Sequence, residues 1–176
     1  MVEVVLRAVR VDVGSSTPLL LLEEVSGNRV LPIFIGAPEA TAIAYALQQI
    51  ETPRPMSHDL LGNVIEALGG RLFSVEVTGL VDNTYFASLR ILNDGVETLV
   101  SARPSDAIAV ALRVGAPILV NDELMASEAK IFDLEDDDDE AYVELEIDDD
   151  DEVEEADLVA ELREFLDNVN PEDFGS

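Results

Sequence analysis

The chain of 176 residues has no cysteine, no tryptophan and a single histidine. Without cysteine it can form neither disulfides nor thiolate metal sites. Aromatic residues make up only 5%, and no basic stripe is interleaved with them, as single-strand nucleic-acid binders use. No apolar run approaches the roughly 20 residues of a membrane-spanning helix. The N-terminal stretch MVEVVLRAVRVDV carries acids and bases within its first ten residues, unlike a secretory leader. These features predict a soluble, cytoplasmic protein. HExxH, P-loop, GxSxG and dinucleotide fingerprints are all missing.

Bases are also scarce. Ten Lys and Arg face 38 Asp and Glu, for a net charge of −28. The imbalance is local. Residues 1–130 sum to only −7, whereas residues 133–157 hold 17 acids and no base. The remaining stretch to residue 176 adds −4. A nucleic-acid binder normally shows a basic footprint, and the whole chain would repel polyanions at low salt. Residues 1–130 are mildly acidic and have room for a local arginine patch.

Apolar residues make up 48% of the chain, enough for a core. The division expected is a folded domain over 1–130, an acidic low-complexity segment over 131–156 and an amphipathic C-terminal helix and tail over 157–176. Residues 2–13 mostly alternate apolar and polar, as a half-buried strand does. Residues 17–25 (TPLLLLEEV) read as a second strand with an apolar run that faces core on both sides or is mispacked at one end. Residues 29–35 read as a third, and Pro32 places it at an edge or a bulge. Glu39 to Gln49 is strongly helical, with Glu39 near the helix start, where the dipole favours an anion. A Pro-rich loop (51–56) leads to a second helix through about Leu68, with Ser57 as its N-cap and Asp59 in its first turn. Gly69-Gly70 ends that helix.

The order then repeats. Strands are expected at 71–79, 84–92 and 96–102, with hairpin turns at Asp82-Asn83 and at Asn93-Asp94-Gly95. Pro104 starts a helix that runs to about Val114, followed by a short strand at 117–120 and a short helix at 121–129. Ala42–Leu47 and Ala107–Leu112 differ at one position in six. This pattern points to a duplicated unit of three strands and a helix, although Ala-rich amphipathic helices also resemble one another by chance. Beyond 133 the acidic run cannot bury enough apolar surface to fold alone. Its alternating middle, 141–147, can add a strand to a neighbour's sheet edge. Residues 157–167 form an amphipathic helix that docks on the core or on a partner chain.

Three segments carry a resemblance: LPIFIGAPEATAIAYALQ at 31–48, PRPMSHDLL at 53–61 and ARPSDAIAVALR at 102–113. Together and in this order they resemble the bifunctional nuclease family, over roughly residues 1–130, and the closing REFLDNVNPEDF resembles that family's C-terminal end. The resemblance implies an α+β fold, with helices packed on a mixed, largely antiparallel sheet. It also implies nuclease activity on DNA and RNA and a homo-oligomer. It supplies no catalytic residues.

The chemistry of those segments does suggest candidates. Phosphodiester cleavage needs an oriented nucleophile, neutralisation of developing charge and help for the leaving oxygen, all of which carboxylate-bound metal ions can supply. Helix starts present free N–H groups that favour phosphate. Glu39, His58 and Asp59, and Arg103, Ser105 and Asp106 each lie at such a start. His58 suits a general base or a metal ligand. Asp59, Asp106 and Glu39 suit Mg²⁺ or Mn²⁺. Arg103 suits a bidentate phosphate clamp, with Arg54 and Ser105 as substrate contacts.

Each has a plainer role as well. His58 can hydrogen-bond the backbone, Asp59 and Asp106 can stabilise helix dipoles, and Ser105 can act as a local cap. Arg103 can pair with Asp106 or Glu39, and Arg54 can sit in an oligomer interface. The reading is therefore a metal-assisted DNase and RNase, with a non-catalytic regulatory or scaffold protein as the alternative. The acidic segment is a solvating tail, a loose cation binder or an autoinhibitory mimic of nucleic acid. In the last case its deletion raises activity at low salt.

Overall fold

The computed structural model describes residues 1–12, 14–131 and 142–144, the last three by backbone alone. The chain opens with a three-strand meander, β1 (Val2–Asp12), β2 (Thr17–Glu24) and β3 (Arg29–Phe34), followed by helices α1 (Ala37–Leu47) and α2 (Ser57–Ala67). A second meander, β4 (Arg71–Val81), β5 (Thr84–Asn93) and β6 (Val96–Ala102), leads into α3 (Pro104–Val114). Then come β7 (Ile118–Val120), α4 (Asp122–Glu128), β8 (Lys130–Ile131) and β9 (Tyr142–Glu144).

The described strands form one sheet in the order β6-β5-β4-β7-β1-β2-β3-β8, with β9 also paired to β1. Every pairing is antiparallel except that of β4 with β7. The fold is thus α+β on a mixed, mostly antiparallel sheet. A meander followed by a helix occurs twice, as the sequence pattern suggested. The two meanders are joined edge to edge by the three residues of β7.

Local chemistry explains most element ends. Asp82 and Asn83, and again Asp94 and Gly95, have positive φ at both central positions, the hairpin geometry that matches strand twist. Leu19 to Leu22 are all buried. Successive strand residues point to opposite faces, so Leu20 and Leu22 join the main core while Leu19 and Leu21 pack with Ala8 and Val30 in a smaller cluster. Pro32 pairs with Leu21 of β2. Its other side has no strand partner among the described residues, because β8 pairs only with Arg29 and Val30.

The centre of the molecule is α3. Ala107 to Ala111 are buried all round, and the helix packs on α1, α2, β4 and β5. Alanines let neighbouring backbones approach closely, and burial on every side is why the helix reads as apolar all round. Gly115, at φ +68, ends it in the left-handed conformation that suits glycine.

Two expectations need correction. Ser57 is the first helical residue of α2 and not its cap; Met56 caps it, and its N–H donates to Asp59 Oδ2 at 2.8 Å. The alternating stretch near 141–147 supplies β9, which pairs with Arg10–Asp12 of this chain's own β1 and not with a neighbour's edge. The rest of the acidic segment and the stretch expected to form the C-terminal helix lie outside the described residues. No described helix is long and apolar enough to cross a membrane.

Candidate functional site

Three helices begin close together, and the residues at their starts form one hydrogen-bonded cluster. Arg103 is the N-cap of α3, extended at φ −73 and ψ 146, with Pro104 as the first helical residue. Proline costs nothing there, since its missing N–H would find no partner in the first turn. The Arg103 guanidinium reaches over that turn. Its Nε donates to Asp106 Oδ2 at 2.8 Å and its Nη2 to Asp106 Oδ1 at 3.0 Å. Nη1 donates to Glu39 Oε1 at 2.7 Å, in the first turn of α1. His58, from the first turn of α2, places Nε2 3.2 Å from Asp106 Oδ1. Asp106 is therefore the hub, bonded by Arg103 in bidentate fashion and by His58 on one side.

The electrostatics follow from these contacts. Burial alone would raise the Asp106 carboxyl. The hydrogen bonds from Arg103 and His58, with the Arg103 charge behind them, outweigh it and hold the group below the usual carboxylate range. Arg103 is held above its ordinary value by hydrogen bonds to Asp106 and then Glu39. The cluster is graded in exposure. The Arg103 side chain is 66% exposed, whereas those of His58 and Glu39 are 16% and 18% exposed. A reaching cation thus sits over a largely enclosed imidazole and carboxylate.

The structure separates Asp59 from this group. Its Oδ1 accepts from Arg113 Nε, and its Oδ2 takes the Met56 N–H. Both oxygens are engaged in closing the start of α2, so the residue stabilises a helix terminus. Ser105 is buried in the first turn of α3 and caps nothing. Arg54 is exposed and forms no hydrogen bond or ion pair with the cluster among the described residues. Asp106 and Glu39 converge on a cation that the protein itself supplies, Arg103. Among the described residues no group of three His, Asp or Glu is placed to hold a metal ion. The three carboxylates expected as metal ligands therefore do not fit a site built by protein alone.

Two residues escaped the sequence reading. Arg113 is nearly buried at the last turn of α3, where it donates to Ala109 O and to Ala42 O, both at 2.9 Å, as well as to Asp59. It ties α1, α2 and α3 together and so fixes the cluster's geometry. The available signal was its position four residues after Ala109, on the alanine face of the helix. Tyr85 donates its hydroxyl to Pro32 O at 3.4 Å, and burial raises that phenol.

Tyr85, Arg103 and Glu39 line a cavity of about 360 Å³ together with Phe34, Gly36 and Asn83. A larger cavity of about 820 Å³ lies between α2, the start of β4 and the turn after α3. Asp59 is the one sequence-derived candidate it touches. Of the clustered side chains, Arg103 and Glu39 line the smaller cavity, and His58 and Asp106 do not.

Comparison with known proteins locates these features in a family. The family model described as bifunctional nuclease domain matches residues 20–133, a span that holds every clustered residue. An uncharacterized protein of Mycobacterium tuberculosis is 42% identical over 172 residues, covering 98% of this chain and 97% of the relative. Bifunctional nuclease 1 of rice (Oryza sativa subsp. japonica) is 29% identical over 106 residues, 58% of this chain and 32% of the relative. Bifunctional nuclease 2 of Arabidopsis thaliana is 29% identical over 116 residues, 64% of this chain and 35% of the relative. The chain thus spans about a third of these plant proteins.

Proposed function

Because the chain belongs to the bifunctional nuclease domain family, we propose that it hydrolyses phosphodiester bonds of DNA and RNA at the cluster formed by His58, Asp106, Arg103 and Glu39. One observation carries this reading. Three segments far apart in sequence deliver an imidazole, a carboxylate and an exposed guanidinium to one hydrogen-bonded group at three helix starts. A cation at a helix N-terminus opposes the helix dipole, and Arg103 rests there only because two carboxylates offset it.

The chemistry assigned to each residue follows from its contacts. With Nε2 of His58 donating to Asp106, Nδ1 keeps its lone pair and serves as a general base. Asp106 holds the ring and stabilises the imidazolium that forms. A water molecule loses its proton to His58 as its oxygen bonds to phosphorus, and the bond from phosphorus to the leaving oxygen breaks. That oxygen takes a proton from solvent. Arg103, the most exposed member, presents its charge and N–H donors to the phosphate oxygens, where negative charge builds up. Attack by water makes no use of the sugar 2′-hydroxyl, which suits action on both DNA and RNA.

The test is cleavage of single-stranded DNA and RNA by purified protein with Mg²⁺, with Mn²⁺ and with EDTA, alongside His58→Ala and Asp106→Asn. Cutting that is lost in both folded variants supports the reading, and the EDTA arm reads metal dependence directly. Equal cutting by all three proteins points to a contaminant and overturns it. The acidic balance of residues 1–130 favours a second reading, a non-catalytic protein that binds an anionic ligand or a partner through the same loops. Absence of cutting, with inorganic phosphate still protecting the folded protein against thermal unfolding through Arg103, would favour that reading.

A further inference from the structure

Glu39 is the one member of the cluster to which the proposed reaction gives no task. Its Oε1 accepts from Arg103 Nη1 at 2.7 Å, and its side chain is only 18% exposed. Its second oxygen lies over Gly36, the N-cap of α1. A Cβ at position 36 would stand 3.3 Å from Glu39 Cδ and would overlap Oε2. The carboxylate can hold this pose against Arg103 only because residue 36 is glycine. The backbone does not ask for one. At φ −79 and ψ 158 Gly36 is extended, a conformation open to any residue. The spacing of glycine and glutamate in IGAPE, residues 35–39, thus has a side-chain reason.

The two carboxylates on Arg103 are not held alike. Asp106 lies in the first turn of the same helix, takes both Nε and Nη2, and also meets His58. Glu39 comes from another helix and takes a single N–H. Breaking one hydrogen bond releases Glu39, whereas releasing Asp106 undoes three. Only the Glu39–Arg103 pair faces the cavity of about 360 Å³. The rest of that wall, which includes Asn83, Thr84, Tyr85 and Ser105, carries no charged side chain. An anion that enters the cavity therefore meets Arg103 on the side that Glu39 occupies. With Glu39 displaced, Nη1 is a free donor, while Nε and Nη2 stay fixed to Asp106.

We propose that the Glu39 carboxylate is a placeholder for a phosphate group on Arg103, and that Gly36 is the positioning residue that lets it sit there. A phosphodiester enters the cavity by exchanging with Glu39, while Asp106 keeps the guanidinium aimed. Chemistry selects the ligand. Carboxylate and phosphate present similarly paired oxygens to a guanidinium, so a place shaped by the protein's own anion suits a phosphate. A neutral ligand gains nothing by displacing Glu39. The exchange breaks one ion pair of a largely exposed arginine, a modest cost, so Glu39 weakens binding without blocking it. The proposal rests on the reading of Arg103 as a phosphate clamp, and not on cutting.

The test is titration calorimetry with inorganic phosphate, beside the KM for cleavage of a short single-stranded oligonucleotide. Glu39→Gln keeps the size of the side chain and removes its charge. It should bind phosphate about fivefold tighter than the parent protein, and KM should fall in the same direction. Gly36→Ala pushes the carboxylate off Arg103 and should also tighten binding, by a smaller factor because the charge stays nearby. In the Glu39→Gln background Gly36→Ala should add nothing, since no competing charge is left to displace. Arg103→Ala should abolish phosphate binding. Gly27 stands in the same relation to Glu24, which holds Arg29 by two hydrogen bonds. None of these three lines the cavity, so Gly27→Ala should leave phosphate binding as it is. Circular dichroism melts check that each variant is folded. Unchanged or weaker phosphate binding by folded Glu39→Gln overturns the proposal. So does a Gly36→Ala effect of equal size in both backgrounds. If the oligonucleotide is not cut at all, the nuclease reading falls, and the phosphate titrations still decide this one.

Discussion

Helix α3 carries an arginine at each end, and the two sit in opposite surroundings. Arg113 lies in the last turn, where the helix dipole welcomes a cation. Its side chain is 11% exposed, and it is spent on two backbone carbonyls and Asp59. Arg103 caps the first turn, where the dipole opposes it, and it is 66% exposed, with both of its partners ionisable side chains. The same residue type therefore serves to lock the helices at one end and is held ready at the other. An arginine bonded to carbonyls cannot be released without orphaning them. One bonded to carboxylates at the surface can exchange them for phosphate.

The comparison breaks if the two arginines prove interchangeable. Arg113→Ala should cost the most stability, about 2 kcal/mol, because it removes the nearly buried donor shared by Asp59 and the Ala42 and Ala109 carbonyls; urea titration would measure it. A loss below about 1 kcal/mol would mean that Arg113 locks nothing. His58→Ala should lower the turnover of DNA and RNA by about 100-fold or more, while the urea midpoint stays close to that of the parent. Loss of folding instead of activity would make the imidazole structural.

Arg103→Ala sharpens the contrast from the other side. Its stability cost should stay under about 1 kcal/mol, as for exposed pairs, while cleavage collapses; Arg103→Lys should restore little, since lysine lacks the planar fork. The smallest effect concerns pH. The Asp106 carboxyl titrates below its ordinary value of 3.8. Its stabilising contribution is thus complete above that value and fades as pH falls through the lower folded one. Melting temperatures of the parent protein and of Asp106→Asn should therefore differ near neutrality and converge in strong acid. A difference that persists there would detach Asp106 from the ion pairs.

Much of this arrangement was legible in the sequence, for identifiable reasons. Strand alternation, Asp-Asn and Asp-Gly turns and N1 proline are local signals, and they place the meanders and α3 within a residue or two. Arg103, Asp106, Glu39 and His58, which the structure brings into contact, could be singled out because each marks a helix start. Arg113 was missed because its role depends on Asp59, 54 residues away, and on which face of α3 is turned inward. Asp59 was offered as a metal ligand because a first-turn aspartate looks the same whether its oxygens face solvent or close the helix. Nor could the pattern show that the two meanders meet through β7, since three apolar residues pair by position and carry no period.

That three-residue strand also bears on the order in which the molecule is made. β1 finds β2 as soon as the first hairpin leaves the ribosome, and β4 finds β5 in the same way. Neither meander can join the other until residues 118–120 emerge, more than a hundred residues after the stretch of β1 that they pair with. Closing so long a loop carries a large entropic cost before any contact repays it, and sheets joined by such distant partners fold slowly. A nascent chain that stops short of Ile118 holds two separate ribbons with the helices between them. The two halves of the sheet become one only when synthesis of the family domain is nearly complete.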